Sequence, residues 1–309
     1  MNFLPADPRS AQRVARAALR TAMKLMVQPL FHPAVPVPML RKGLRATALT
    51  TLPARGIERE QTQLGAVPAE LHRARTGQRA ERVVVYLHGG AYCVGSPATH
   101  RAITSALARD SGADVYALDY RLAPEHRYPA AVDDAVNAVL ALMRDGYPAD
   151  RITVAGDSAG GGLTLACALR LRDQHHVRLH GLILLSPWAD LTHPNASAPV
   201  QPPEVMLNWR GLDSSAEHYA AGQRSEPEVS PLLAALHDLP QTLILVGSDE
   251  ILLDDSVRLD RALADAGVVV DTFVYEHMWH VFPVHAGVLS AADDALLRMA
   301  EHVQGLHHE

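Results

Sequence analysis

The sequence predicts an α/β fold: a mostly parallel central sheet with helices packed on both faces. Two patterns carry that reading. From about residue 82, short apolar runs alternate with longer stretches whose apolar residues recur every three or four positions. The runs are continuous in Val, Ile and Leu rather than alternating with polar residues, as strands covered on both faces require.

The elements follow in order. "VVVYLH" (Val83–His88) reads as a buried strand and Thr99–Asp110 as a helix. "DVYALDY" (Asp114–Tyr120) is the next strand, and Ala130–Gly146 a helix with three/four apolar spacing. "ITVAG" (Ile152–Gly156) is a strand and "GLTLACALRLRD" a helix. "LILLS" (Leu182–Ser186), "TLILVG" (Thr242–Gly247) and "VVVDTFVY" (Val268–Tyr275) are strands, with helices over Asp255–Ala266 and Ala291–Val303. Before residue 82, "IERE" and "AELHRAR" read as leading antiparallel strands. Between Ala189 and Pro231 the alternation stops, and an insertion of that length between strands is usually functional, often a lid.

Composition excludes several functions. The chain has 309 residues, 48% hydrophobic and 20% charged, with a net charge of -6, so it lacks the basic footprint of a nucleic-acid binder. Two cysteines, Cys93 and Cys167, make no disulfide framework and fit a reducing compartment. "RVARAALRTAMKLMV" sets Arg13, Arg16, Arg20 and Lys24 along one helix face, which is expected to be solvated. Those arginines interrupt any export-signal core, and no window is apolar enough to span a membrane. A soluble, cytoplasmic protein without stable membrane insertion is expected. The histidine pairs His175–His176 and His307–His308 are adjacent and do not share a ligand-facing side, so neither metal nor cofactor is expected.

"GDSAG", Gly156–Gly160, matches G-x-S-x-G directly between a strand and a helix, the context this motif requires. Ser158 then sits on a sharp turn at a helix N-terminus, with glycines where side chains would collide. A serine hydroxyl needs a base, and the base an orienting carboxylate. "LVGSDEILLDD" offers Asp249, with Glu250, Asp254 and Asp255 as competitors; the last two sit at a helix start, where acids usually cap. Asp249 is the preferred acid. "VYEHMWHVFP" offers His280 as base, with His277 nearer the strand in a structural role. Upstream, "YLHGGAY" supplies the amides of Gly89, Gly90 and Ala91, which with that of Ala159 form a candidate oxyanion hole.

These motifs, with "DYRLAPEHRYPAA", "LLSPWADL", "VSPLLA" and "HVFP", make the chain resemble the bacterial hormone-sensitive-lipase family (family IV) of α/β-hydrolase esterases. The resemblance spans residues 83–283, about two thirds of the chain. It implies a carboxylic-ester hydrolase acting on short- to medium-chain acyl esters, with a helical cap made from residues 1–50 and an insertion at about 190–225. It matches Ser158, Asp249 and His280 to the triad, and implies that Gly90, Ala91 and Ala159 donate to the oxyanion. Ala91 departs from a third glycine, which the amide chemistry tolerates if the backbone there suits a Cβ.

The remaining residues have blander readings. Asp157 is expected to hydrogen-bond backbone, His88 to brace the oxyanion loop, and Arg121 and Glu125 to join an internal polar network. Cys93 and Cys167 are expected in the core, and Met206, Leu207 and Trp209 over the pocket. The same triad would serve a lactone or amide hydrolase, and a homodimer is compatible with these features. A non-catalytic receptor on this scaffold is disfavoured because all three triad candidates are present.

Overall fold

The computed structural model describes residues 1–47, 51–75, 79–193 and 204–306. The histidine pair at 307–308 and residues 194–203 of the insertion lie outside them. The leading strands β2 (Ile57–Leu64) and β3 (Val67–Ala74) form an antiparallel pair, and β3 joins β5 (Asp114–Leu118) antiparallel. Every other pairing is parallel: β4 (Val83–Leu87) with β5 and β6 (Ile152–Asp157), then β7 (Gly181–Leu185), β8 (Gln241–Gly247) and β9 (Val270–Tyr275). All residues of β4, β6 and β7 are buried, as their unbroken apolar runs demand.

One strand escapes sequence reasoning. Asn2–Leu4 (β1) pairs parallel with Phe273–Tyr275 and covers the free edge of β9. Three residues are too short to show a period, so nothing in the sequence marks them. The sheet order is therefore β1-β9-β8-β7-β6-β4-β5-β3-β2.

Helices cover both faces. On one lie α4 (Ala130–Arg144), α5 (Ala159–His175) and α7 (Leu253–Asp265), burying residues such as Val139, Leu165 and Leu259. On the other, α3 (Arg101–Ser111) packs against α8 (Ser290–Gln304) around Ile103, Leu107, Leu296 and Met299. The N-terminal segment carries α1 (Ser10–Ala22), a π-helical turn over Met23–Val27, and α2 (Val37–Thr47). The insertion carries α6 (Trp209–Ala220), whose first turn is capped by Asn208: its Oδ1 accepts the Gly211 amide at 2.8 Å. Crossovers between parallel strands place the loops after β4, β6, β8 and β9 at the carboxyl ends of the strands, where open α/β sheets build their sites.

Candidate active site

Ser158 stands between β6 and α5 with φ 54° and ψ −122°, a conformation that a residue with a Cβ rarely adopts. The turn is possible because the residues two positions away on either side, Gly156 and Gly160, lack side chains. A Cβ on Gly156 would run into the Gly160 carbonyl, and one on Gly160 into the Leu87 carbonyl of the adjacent strand. The strain is held by bonds on both sides: the Ser158 amide donates to the Leu185 carbonyl at 2.8 Å, and its carbonyl accepts the Trp188 amide at 2.9 Å.

The loop after β4 approaches from the next strand. Gly90 has φ 124°, and a Cβ there would strike the Val94 carbonyl. Ala91 has φ 51°, inside the left-handed region that an L-residue occupies at a modest cost, so the departure from glycine is accommodated. The Gly89 amide donates to Asp157 Oδ1 at 3.0 Å and so drops out of the four oxyanion candidates. Among the described residues, no acceptor is bound to the amides of Gly90, Ala91 or Ala159.

Beneath the loop is a buried polar network. Asp157 also accepts the Tyr86 hydroxyl at 2.8 Å and lies 3.2 Å from His100 Nε2. Burial pushes the Asp157 carboxyl up, but His100, then the Tyr86 hydroxyl, hold it below its ordinary value. His88 Nδ1 lies 2.9 Å from the Gly89 carbonyl oxygen, which requires this nitrogen to carry the proton, and its ring stacks on Tyr120 at 4.3 Å. Burial, then the neighbouring His100, depresses His88 to about 3, so it is a neutral brace.

The carboxylate that reaches His280 is Glu250 and not Asp249. Glu250 Oε1 lies 3.4 Å from His280 Nδ1, and both side chains are fully enclosed. Its other oxygen accepts the Ser186 hydroxyl at 2.8 Å and the Gly247 amide at 3.3 Å. Asp249 points away, to Arg20 Nη1 of α1 at 2.6 Å and to the Ser248 hydroxyl at 2.8 Å. The reason is local. The Asp249 amide donates to the Met278 carbonyl and the Ser248 amide to that of Tyr275, stitching the turn after β8 to the turn after β9. That stitching turns residue 249 outward and residue 250 inward. It also means that Arg20, expected on a solvated face, holds an ion pair.

Burial works to lower the His280 pKa, but Glu250, then Glu204 and Asp157, raise it overall above the ordinary histidine value. His277 is an exposed residue with φ 60°, its amide bound to the Ser248 hydroxyl, in keeping with a structural part.

Ser158 and His280 line one cavity of about 130 Å³, together with Gly90 and Ala91. Among the described residues no hydrogen bond joins the Ser158 and His280 side chains; bonds of this kind often tighten only when a ligand is bound. Its apolar wall draws on the N-terminal segment (Val27, Phe31, Leu44) and on the insertion (Met206, Leu207, Leu212). Trp209 does not line it; its ring sits 5.1 Å from that of His193 and packs on the core.

A family model described as the α/β-hydrolase fold matches residues 84–284. An acetyl-hydrolase of Streptomyces hygroscopicus is 42% identical over 217 residues, 70% of this chain and 73% of that protein. The crystal structure of a hormone-sensitive lipase from a metagenome library superposes with a TM-score of 0.86 at 35% identity, covering 97% of this chain and 99% of that one. An esterase from the bacterial hormone-sensitive-lipase family superposes at 0.85 with 33% identity and the same coverage. The chain belongs to this family of α/β-hydrolases.

In this hydrolase the residues outside the cavity mostly take the places their surroundings suggest. Cys93 and Cys167 are buried thiols, and burial pushes each up to about 12, so neither is a nucleophile. Arg121 pairs with Asp134, while Glu125 pairs with Arg41 of α2 at 2.7 Å, so the two belong to separate contacts rather than one network. Two residues of the hydrolase site went unread in the sequence. Ser186 has φ 48° and bridges Glu250 to the Val281 amide, which its hydroxyl accepts at 3.2 Å. Its only signal is its place at the end of a strand. Glu204, in the insertion, is the other.

Proposed function

We propose that this hydrolase cleaves short-chain carboxylic esters through an acyl-enzyme on Ser158, with His280 as base and Glu250 as the orienting acid. Family membership supports ester hydrolysis. The observation that carries the mechanism is the meeting, in one small cavity, of a serine on a strained turn, a histidine held by a buried carboxylate, and amides without acceptors.

Ser158 Oγ attacks the ester carbonyl while His280 Nε2 takes its proton. Glu250 accepts from His280 Nδ1, fixing the tautomer and stabilising the imidazolium. The amides of Gly90, Ala91 and Ala159 receive the oxyanion, aided by the positive N-terminus of α5. His280 then protonates the leaving alcohol, and water hydrolyses the acyl-enzyme by the same route. Residues 1–50 and the insertion at about 190–225 act together as the cap that limits the acyl group.

The cavity supports the short end of the chain-length range. Bulky side chains from both cap segments, Val27, Phe31, Leu44, Met206 and Leu207, crowd the space over Ser158 and limit the acyl chain it can take. p-Nitrophenyl acetate and butyrate are therefore expected to be turned over best, with kcat/KM at least about tenfold lower for dodecanoate, since overfilling a packed site costs more than about 1 kcal/mol. A preference for emulsified long-chain triglyceride would refute this limit on acyl length.

Activity rises with pH as His280 loses its proton. Because its neighbours raise its pKa, the midpoint of that limb is expected above the ordinary value of about 6.5. A flat profile from about pH 5 to 9 contradicts a histidine base. Ala91→Gly keeps the donor and relieves the left-handed backbone, so turnover is expected to change by less than about tenfold.

A further inference from the structure

Glu204 lies in the insertion, two residues before the cavity-lining Met206, and takes no part in the mechanism above. Part of the residue remains accessible, but its carboxyl end lies deep against the acid loop. Oε1 accepts the amides of Val205 at 2.7 Å and Met206 at 2.6 Å, in its own loop. Oε2 accepts the amide of Ile251 at 3.1 Å, and Ile251 directly follows Glu250. One carboxylate therefore spans two loops that are 47 residues apart in sequence.

We propose that Glu204 is a positioning residue: its carboxylate clamps the insertion onto the acid loop, seating Met206 and Leu207 in the cavity wall and bracing Ile251 beside Glu250. The proposal rests on the His280–Glu250 reading above. Three chain amides converge on one side chain, and each would lose its acceptor in a partly buried seam if it were removed. The ionisable groups around it are His280 and Glu250, with Asp157 and His100 behind the histidine. Burial lifts the Glu204 carboxyl above its ordinary range, against the pull of His280 and of the Met206 and Ile251 amides. It in turn helps to raise His280.

Two variants separate clamp from charge. Glu204→Gln keeps the length but loses the charge and turns an amide donor toward a backbone N–H. Glu204→Asp keeps the charge but is too short to reach both loops. The measurement is kcat and KM for p-nitrophenyl acetate against pH, normalised to the fraction of Ser158 that a serine-directed phosphonate labels. For Glu204→Gln the acidic limb is expected to move to lower pH by at least about half a unit, because removing a neighbouring anion weakens the imidazolium. Plateau kcat/KM should fall about tenfold, the scale of one lost charged hydrogen bond. For Glu204→Asp the limb should stay at the wild-type position while KM rises several-fold. A Gln variant with the wild-type kcat/KM, or an Asp variant with the wild-type KM, overturns the proposal. Failure of the underlying reading would show separately, as a wild-type Ser158 that takes no label or a Glu250→Gln variant with full activity.

Discussion

Ser158→Ala is expected to fold normally and to lose at least about three orders of magnitude in kcat, with KM little changed. The hydroxyl is the only atom removed, and the turn that presents it is fixed by bonds that alanine retains: the Ser158 amide to Leu185 and the Ser158 carbonyl to Trp188. Residual activity above the uncatalysed rate should survive, because the cavity and its amides remain to bind and polarise the ester. Circular dichroism and thermal unfolding should match wild type, or show slight stabilisation, since alanine relieves no strain but removes a buried hydroxyl. Wild-type turnover in this variant would remove Ser158 from the chemistry.

Glu250→Gln should lower kcat by up to about 10⁴, while Asp249→Asn should stay within about tenfold. The amide of a glutamine can present an N–H to His280 Nδ1, which would favour the wrong imidazole tautomer. It also disturbs the Ser186 hydroxyl and the Gly247 amide, both of which now donate to Glu250. Asp249, by contrast, holds Arg20 at the rim of α1, with the arginine side chain 28% exposed. Because the Asp249 side chain is only 11% exposed, losing that charged hydrogen bond should cost about 1–3 kcal/mol of stability with little effect on turnover. Turnover and thermal melting of the two variants, side by side, decide the assignment. If Asp249→Asn is the crippling change and Glu250→Gln is mild, the acid has been misplaced by one residue.

That one-residue difference shows where sequence reasoning ends. That Ser158 and His280 meet in one cavity is legible because each follows a strand whose apolar run is unmistakable and because the serine is ringed by glycines. The acid was legible only as a loop. Asp249 and Glu250 both follow β8, and which one faces inward depends on hydrogen bonds to Tyr275 and Met278 across the neighbouring turn, which no local pattern encodes. The oxyanion donors were narrowed in the same way: Gly89 looks like its neighbours until Asp157 is seen to occupy its amide. The basic stripe of α1 was visible, but not that Arg20 would find Asp249, 229 residues away. Trp209 is large and lies in the insertion, which suggests a roof over the pocket, yet its helix turns it toward the core. Glu204 sits in a proline-containing stretch without periodicity, so its reach to Ile251 is a purely tertiary fact.

The central claim is that acyl groups pass through Ser158, and rapid-quench mass spectrometry tests it most directly. Wild-type protein mixed with excess p-nitrophenyl acetate, quenched in acid and digested, should carry one acetyl group on the peptide containing Ser158. Glu204→Gln should carry it as well, and Ser158→Ala should carry none while the wild type releases a burst of nitrophenol. Acetyl on another residue, or equal turnover with no acylated peptide at any time point, would contradict the account.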